Sequence, residues 1–152
     1  MSELIKLDVG SGGSQQEGYT NIDKRALPTV DIVHDLEVFP YPLADESCSH
    51  IHASHIIEHI KPWFMIEFMD ELWRIMAMDG ELWAAMPLGG TYSYWQDPTH
   101  CNGCNQTTFE YYDPRSGLYK VYVPKPWEMV ADFPTLDNDI MTIKMNKVGV
   151  GE

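Results

Sequence analysis

Short apolar runs that stop abruptly set the rhythm of the first half of the chain. Leu4-Ile5-Lys6-Leu7-Asp8-Val9 breaks off at Gly10-Ser11-Gly12-Gly13, the pattern of a buried strand that feeds a glycine turn. Tyr19–Asp23 and Val30–Asp35 follow, each closing on a carboxylate, and Cys48–Ala53 forms a fourth run before Ser54-His55-Ile56-Ile57-Glu58-His59-Ile60. From Pro62 to Met78 the period changes. Trp63, Ile66, Met69, Trp73 and Met76 recur at spacings of three and four, which predicts one helix with a single buried stripe. Pro62 suits a first helical position, and Asp79-Gly80 supplies the stop, with Gly80 as the left-handed cap. Glu81–Met86 reads as a further strand ended by Pro87. The remainder holds a polar loop from Gln96 to Gln106, a short helix at Thr107–Tyr112, and strands at Tyr119–Val123, Trp127–Phe133 and Asp139–Lys147.

Strands alternating with helices predict an α/β sheet, largely parallel in its first two-thirds, with an antiparallel pair drawn from residues 127–147. Ligands of such sheets bind beyond the carboxyl ends of the strands. Gly10–Gly13, Asp23, Asp35, Ser54, His55 and Pro87–Gly90 are therefore expected on one rim. The length of 152 residues fits one domain, 1–152, of about seven strands. Composition narrows the partners. A net charge of −13 disfavours direct binding to nucleic acid or to anionic membranes and points to a small neutral or cationic ligand. Three cysteines, Cys48, Cys101 and Cys104, are too few for a disulfide framework and suit a reducing compartment. With no signal-peptide pattern and no apolar run of about 18 residues, a cytoplasmic protein is expected.

The ordered series of these segments resembles the class I S-adenosylmethionine-dependent methyltransferases, and among them a small methyltransferase type 11-like group. Its members run glycine turn, "GYTNID", "DIVHDL", "ASHIIEH", then a helix closing on Gly before an apolar strand. Here these are Gly10–Gly13, Gly18–Asp23, Asp31–Leu36, Ala53–His59 and Pro62–Gly80 before Glu81–Pro87. The resemblance implies a Rossmann-like sheet and S-adenosylmethionine as cofactor. Gly10, Ser11 and Gly12 then let the backbone approach the cofactor, with Asp8 near its ammonium group and Asp23 on the ribose hydroxyls. Asp35 and Leu36 take the adenine-contacting positions, and Ser54 and His55 line the floor near the sulfonium. Asp97-Pro98-Thr99-His100 matches a "DPTH" loop of the same group. It implies His100 as general base, oriented by Asp97, with Tyr92, Tyr94 and Trp95 as the acceptor wall. The implied acceptor is a small molecule or a sugar hydroxyl, read by the loop from Gly89 to Asp113.

One departure stands out. About nine residues separate Gly10 from the second strand, and about six join Asp23 to the third, whereas a parallel crossover takes about ten to twelve or more. The first crossover helices are thus expected to be shortened or missing, leaving part of a sheet face or of the pocket less covered. Two other readings compete. His55-Ile56-Ile57-Glu58-His59 matches the H-x-x-E-H pattern of zinc metallopeptidases, in which a helix brings both imidazoles to one metal. That reading leaves the glycine turn and the strand-end carboxylates unexplained, so Glu58 and His59 are taken as a structural pair and no metal is assigned. Cys101-Asn102-Gly103-Cys104 lacks a second pair to complete a zinc site and reads as free thiols. A non-catalytic cofactor-binding or interaction module is the remaining alternative, and an exposed Trp/Tyr rim would serve either a substrate or a second subunit.

Overall fold

A computed structural model describes residues 3–151. Eight strands form one sheet: β1 (Ile5–Val9), β2 (Tyr19–Asp23), β3 (Ile32–Val33), β4 (Cys48–Ser54), β5 (Met76–Pro87), β6 (Trp127–Met129), β7 (Thr135–Asp137) and β8 (Ile140–Lys147). The order across the sheet is β3-β2-β1-β4-β5-β8-β6, with β7 also on β8. Strands β1 to β5 are parallel, and β8 runs antiparallel to β5 from Glu81↔Asn146 to Pro87↔Ile140. This is the expected α/β sheet with its antiparallel end. The eighth strand arises because the outer partner of β8 is broken. Trp127–Met129 pairs with Lys147–Met145, and Thr135–Asp137 pairs with Thr142–Ile140, so β6 and β7 share one margin, interrupted at residues 130–134. The single strand expected at Trp127–Phe133 is therefore only its first half. Tyr119–Val123 is not a strand either; Gly117–Val121 winds as a 3-10 turn.

Between β4 and β5 a 3-10 turn at Pro62–Phe64 leads into α1 (Met65–Ile75). The buried stripe is Met65, Phe68, Met69, Leu72 and Ile75, one position away from the one predicted. Trp63 is 72% exposed, and Ile66 also faces solvent, because the 3-10 entry rotates the first turn relative to an uninterrupted helix. The helix stops three residues early. Met76 is extended, with its N–H bonded to Leu72 O, and already pairs with Cys48 of β4. Asp79, not Gly80, takes the left-handed conformation, at φ 64°. Gly80 matters for another reason: a Cβ there would collide with the Met76 side chain and stand 2.8 Å from the carbonyl of Ala77.

The core lies between α1 and one sheet face, where Leu7, Val9, Ile22, Ile51, Ala53, Leu82, Ala84, Ile143 and Met145 are buried with Phe68, Met69, Leu72 and Ile75. The connections at residues 10–18 and 24–31 contain no helix, so the first crossovers are loops, as their length required. Residues 34–47 also cross without a helix and are tied down instead by Glu71 of α1. Its carboxylate accepts the Tyr41 N–H at 2.5 Å and two N–H groups of Arg74 at 2.6 and 2.9 Å, and the Tyr41 hydroxyl donates to Leu36 O at 2.8 Å. This chain of bonds sets the loop that bears Asp35 and Leu36.

Candidate active site

The glycine turn is built from β1 and β2 together. Gly10 and Gly12 have φ of 69° and 57°, a region that costs a side-chain-bearing residue about 1 kcal/mol or more. The Gly10 N–H donates to Ile22 O at 2.9 Å, and a Cβ on Gly10 would lie 2.6 Å from Ile56 Cγ1. Gly10 thus fits closely against the chain leaving β4. Asp23, at the end of β2, closes the turn. Its Oδ2 accepts the Gly12 N–H at 2.9 Å, and its Oδ1 accepts the Arg25 N–H at 2.9 Å and Nε–H at 3.3 Å. Burial alone would push this carboxyl up, yet the bonds from Arg25 and Gly12 hold it below the usual carboxylate range. Of about four acceptor positions on a carboxylate, three are filled, and one remains on Oδ2.

A cleft of about 420 Å³ opens beyond these strand ends, lined by Gly10, Asp23, Asp35, Leu36, His55 and Ile56 among others. It lies within the range of about 300–1,000 Å³ common for small-ligand sites. Asp35 Oδ1 caps the next turn by accepting the Glu37 N–H at 2.9 Å, and Leu36 is buried. Across the cleft mouth Glu37 holds Lys61, accepting its N–H at 2.9 Å and its ammonium at 2.7 Å. Sequence reasoning missed this clasp, as it missed Ile56; the two partners stand far apart in the chain and belong to no motif.

Five of the predicted cofactor positions therefore meet at the cleft: Gly10, Asp23, Asp35, Leu36 and His55. Gly12 and Ser11 shape the turn behind it, and the hydroxyl of Ser11 is buried without a partner. Ser54 ends β4 beside Ala85 and is not among the lining residues. Asp8 is turned away from the cleft. Its side chain lies on the far face of the sheet, 3.3 Å from His52 Nδ1, because strand residues alternate in direction and Asp8 shares the side of His52, its register partner.

A second cavity of about 680 Å³ adjoins the first and shares His55 and His59 with it; Glu58, Pro87, Ser93, Gln96, Asp97 and His100 are among the rest of its wall. The loop bearing His100 is fixed to the strand exit by Cys101 and Asn102, whose N–H groups both donate to Glu58 O at 2.9 and 3.1 Å. His100 Nδ1 donates to Tyr94 O at 2.5 Å, and its Nε2 stands 3.6 Å from Asp97 Oδ2 and 4.0 Å from Glu58 Oε2. Asp97 lies beside His100, but on its Nε2 side and beyond hydrogen-bond distance; the contact that holds the ring is the Tyr94 carbonyl on Nδ1. The expected aromatic wall does not form. In α2 (Tyr92–Trp95), Tyr92 and Trp95 are 80% and 71% exposed, and Tyr94 is buried against His100 and Trp95. Ser93 and Gln96 line the cavity in their place. Successive side chains of a helical turn point about 100° apart, so Ser93 and Tyr94 turn inward while Tyr92 and Trp95 face solvent, and aromatic content alone did not show which.

The H-x-x-E-H reading fails on local geometry. His55 adopts φ 54°, and only Ile57–His59 forms a single 3-10 turn, so no helix face carries His55 and His59 together. Burial pushes the Cys104 thiol up to about 12, and Cys101 is exposed, which suits unpaired thiols. Among the described residues no helix is long and apolar enough to cross a membrane.

A parallel sheet of order 3-2-1-4-5 with an antiparallel end, a glycine turn after β1 and a carboxylate after β2 is the class I S-adenosylmethionine-dependent methyltransferase fold. Solved structures agree. A SAM-dependent methyltransferase from Archaeoglobus fulgidus superposes with a TM-score of 0.67 at 13% identity, over 95% of this chain and 86% of that one. The 1,6-didemethyltoxoflavin-N1-methyltransferase of Burkholderia thailandensis gives 0.69 at 10% identity, over 97% and 72%, and the N-methyltransferase NodS of Bradyrhizobium japonicum WM9 gives 0.63 at 12%, over 95% and 78%. No family model and no curated protein matches the sequence. At these identities the likeness is one of fold.

Proposed function

We propose that this protein is an S-adenosylmethionine-dependent methyltransferase acting on a small-molecule or sugar acceptor. The observation that carries the reading is the pair of adjoining cavities at the carboxyl ends of the parallel strands, one lined by the glycine turn and two strand-end carboxylates, the other by Asp97 and His100. The first fits the cofactor. The free acceptor position on Asp23 suits ribose hydroxyls, Asp35 suits an exocyclic amine, and Leu36, Ile56 and Ile60 offer apolar contact to a base. The bound cofactor supplies a methyl group already activated by its sulfonium, so the chain's own task is to align the acceptor and handle its proton. His100 is suited to that task. Its Nδ1 proton is committed to Tyr94 O, which leaves Nε2 as the basic nitrogen on the cavity side.

Two structures of this fold that resemble the chain were solved with S-adenosylhomocysteine, which makes that nucleoside the natural probe. Calorimetric titration is expected to give micromolar binding that is abolished in Asp23→Ala and kept in His100→Ala. Absence of binding to the unaltered chain would refute the reading and favour a module that keeps the sheet without the chemistry.

A further inference from the structure

The junction of the two cavities gathers more electron pairs than it has protons to share. Thr99 Oγ1 lies 2.7 Å from Asp97 Oδ1 and 3.2 Å from His59 Nδ1. A hydroxyl has one proton, and the carboxylate can only accept, so Thr99 donates to Asp97 and accepts from His59. The Nδ1 of His59 therefore carries a proton, and in the neutral ring the lone pair is on Nε2. His100 is fixed in the same way, because the carbonyl of Tyr94 can only accept from Nδ1. In the neutral ring the Nε2 lone pair then faces two carboxylate oxygens, Asp97 Oδ2 at 3.6 Å and Glu58 Oε2 at 4.0 Å. Glu58 is 1% exposed, and its Oε1 has no hydrogen-bond partner among the described residues, a cost of several kcal/mol for a buried charge unless something cationic offsets it. Its other oxygen, Oε2, lies 3.3 Å from His55 Nδ1, which belongs to a half-exposed ring.

One ligand atom from each of Glu58, His59 and His100 lies within 4.8 Å of the others, near the separations of about 3–4 Å that bonds of about 2.0–2.2 Å impose. Two imidazoles and a carboxylate are a donor set for zinc and its first-row neighbours, with positions left open. The outer contacts are those such ligands ordinarily have, a carbonyl behind one histidine and a hydroxyl–carboxylate pair behind the other. We infer that Glu58, His59 and His100 hold a divalent transition cation at this junction, with Asp97 beside it.

The cation's place in catalysis rests on the methyltransferase reading; its binding does not. With the cation bound, His100 is a ligand and not a base. The open positions face the second cavity, which makes an acceptor with an oxygen donor the fitting class. The charge of the cation would ease loss of the acceptor's proton, which Asp97 Oδ2 beside the junction would accept as the methyl group passes from the sulfonium to the acceptor oxygen.

The test uses the full chain stripped with a chelator and titrated with Zn²⁺ by calorimetry and with Co²⁺ by visible absorption. One equivalent is expected, with affinity falling at least about 10-fold in His59→Ala, His100→Ala and the isosteric Glu58→Gln, and unchanged in Cys101→Ser. Circular dichroism of each variant separates lost ligation from lost fold, and His100→Asn gives a second, less disruptive probe of the same ligand. Absence of saturable binding, or binding that survives both histidine variants, overturns the inference. S-adenosylhomocysteine titrated into the same stripped protein keeps the two readings apart. Nucleoside binding without metal binding removes the cation alone, and metal binding without nucleoside binding upholds the cation while the methyltransferase reading falls.

Discussion

On one face of the sheet Leu7, Ile51, Leu82 and Met145 stand side by side across β1, β4, β5 and β8, all buried with the apolar stripe of α1. On the other face the next position along each strand gives Asp8, His52, Trp83 and Lys144 in the same register, and of these only Asp8 is buried. The row beside it holds Lys6, His50, Glu81 and Asn146. A parallel sheet ordinarily has helices on both faces; here the loops at residues 10–18 and 24–31 stand where helices would lie. The bare face is stabilised within its own plane. His52 stacks on Trp83 at 4.5 Å and 3°, Tyr19 meets His52 edge-on at 6.0 Å, and Lys144 lies 3.9 Å from Glu81. The difference teaches that covering a face and building a site are separable tasks. Gly10 and Asp23 reach the cleft from the ends of β1 and β2, and shortening what lies between those ends does not move them.

Truncating the covered face is expected to have the largest effect. Phe68→Ala removes a fully buried ring and should cost about 3–5 kcal/mol in urea unfolding; a loss under about 1 kcal/mol would mean that the core is not where the stability lies. Acidification comes next and probes two buried carboxylates, Asp23 and Asp113. Buried Asp113 would titrate higher by burial, but bonds from Arg115 and the Met129 N–H hold its carboxyl low, as Arg25 and Gly12 do for Asp23. Lowered folded values mean that this stabilisation is complete above about pH 4 to 5 and is lost as pH falls through them. Melting temperatures should therefore decline on that side, and less so in Asp113→Asn, which has already lost the charge. The bare face gives the smallest response. Trp83→Ala loses one stack and part of its packing, about 1 kcal/mol, and Lys6→Ala should stay within about 0.5 kcal/mol. A Trp83 loss equal to that of Phe68 would show that something covers this face in solution.

The series of strands and the missing crossovers were legible because both depend on local period and on connection length. Asp23 was legible as a carboxylate ending a strand. The stripe of α1 was misplaced because Trp63 and Ile66 fit a helical spacing that the 3-10 entry then rotated outward, and Tyr119–Val123 alternates as a strand does but finds no partner strand. Tyr92, Trp95 and Asp8 were placed by residue type, yet their direction depends on register and helix phase, which a motif does not specify. Glu58 and His59 belong to one motif and His100 to another, distant one. Their convergence depends on the N–H groups of Cys101 and Asn102 reaching back to Glu58 O, a long-range contact that leaves no mark in spacing.

The sheet margins carry a further consequence, for self-association. One margin is β3, only two residues long, and the other is broken between β6 and β7. A foreign strand seeking to extend the sheet therefore finds no continuous ladder on either side, and the net charge of −13 on each copy opposes its approach. The bare face lies open, but the edges through which sheets most readily aggregate are nearly closed.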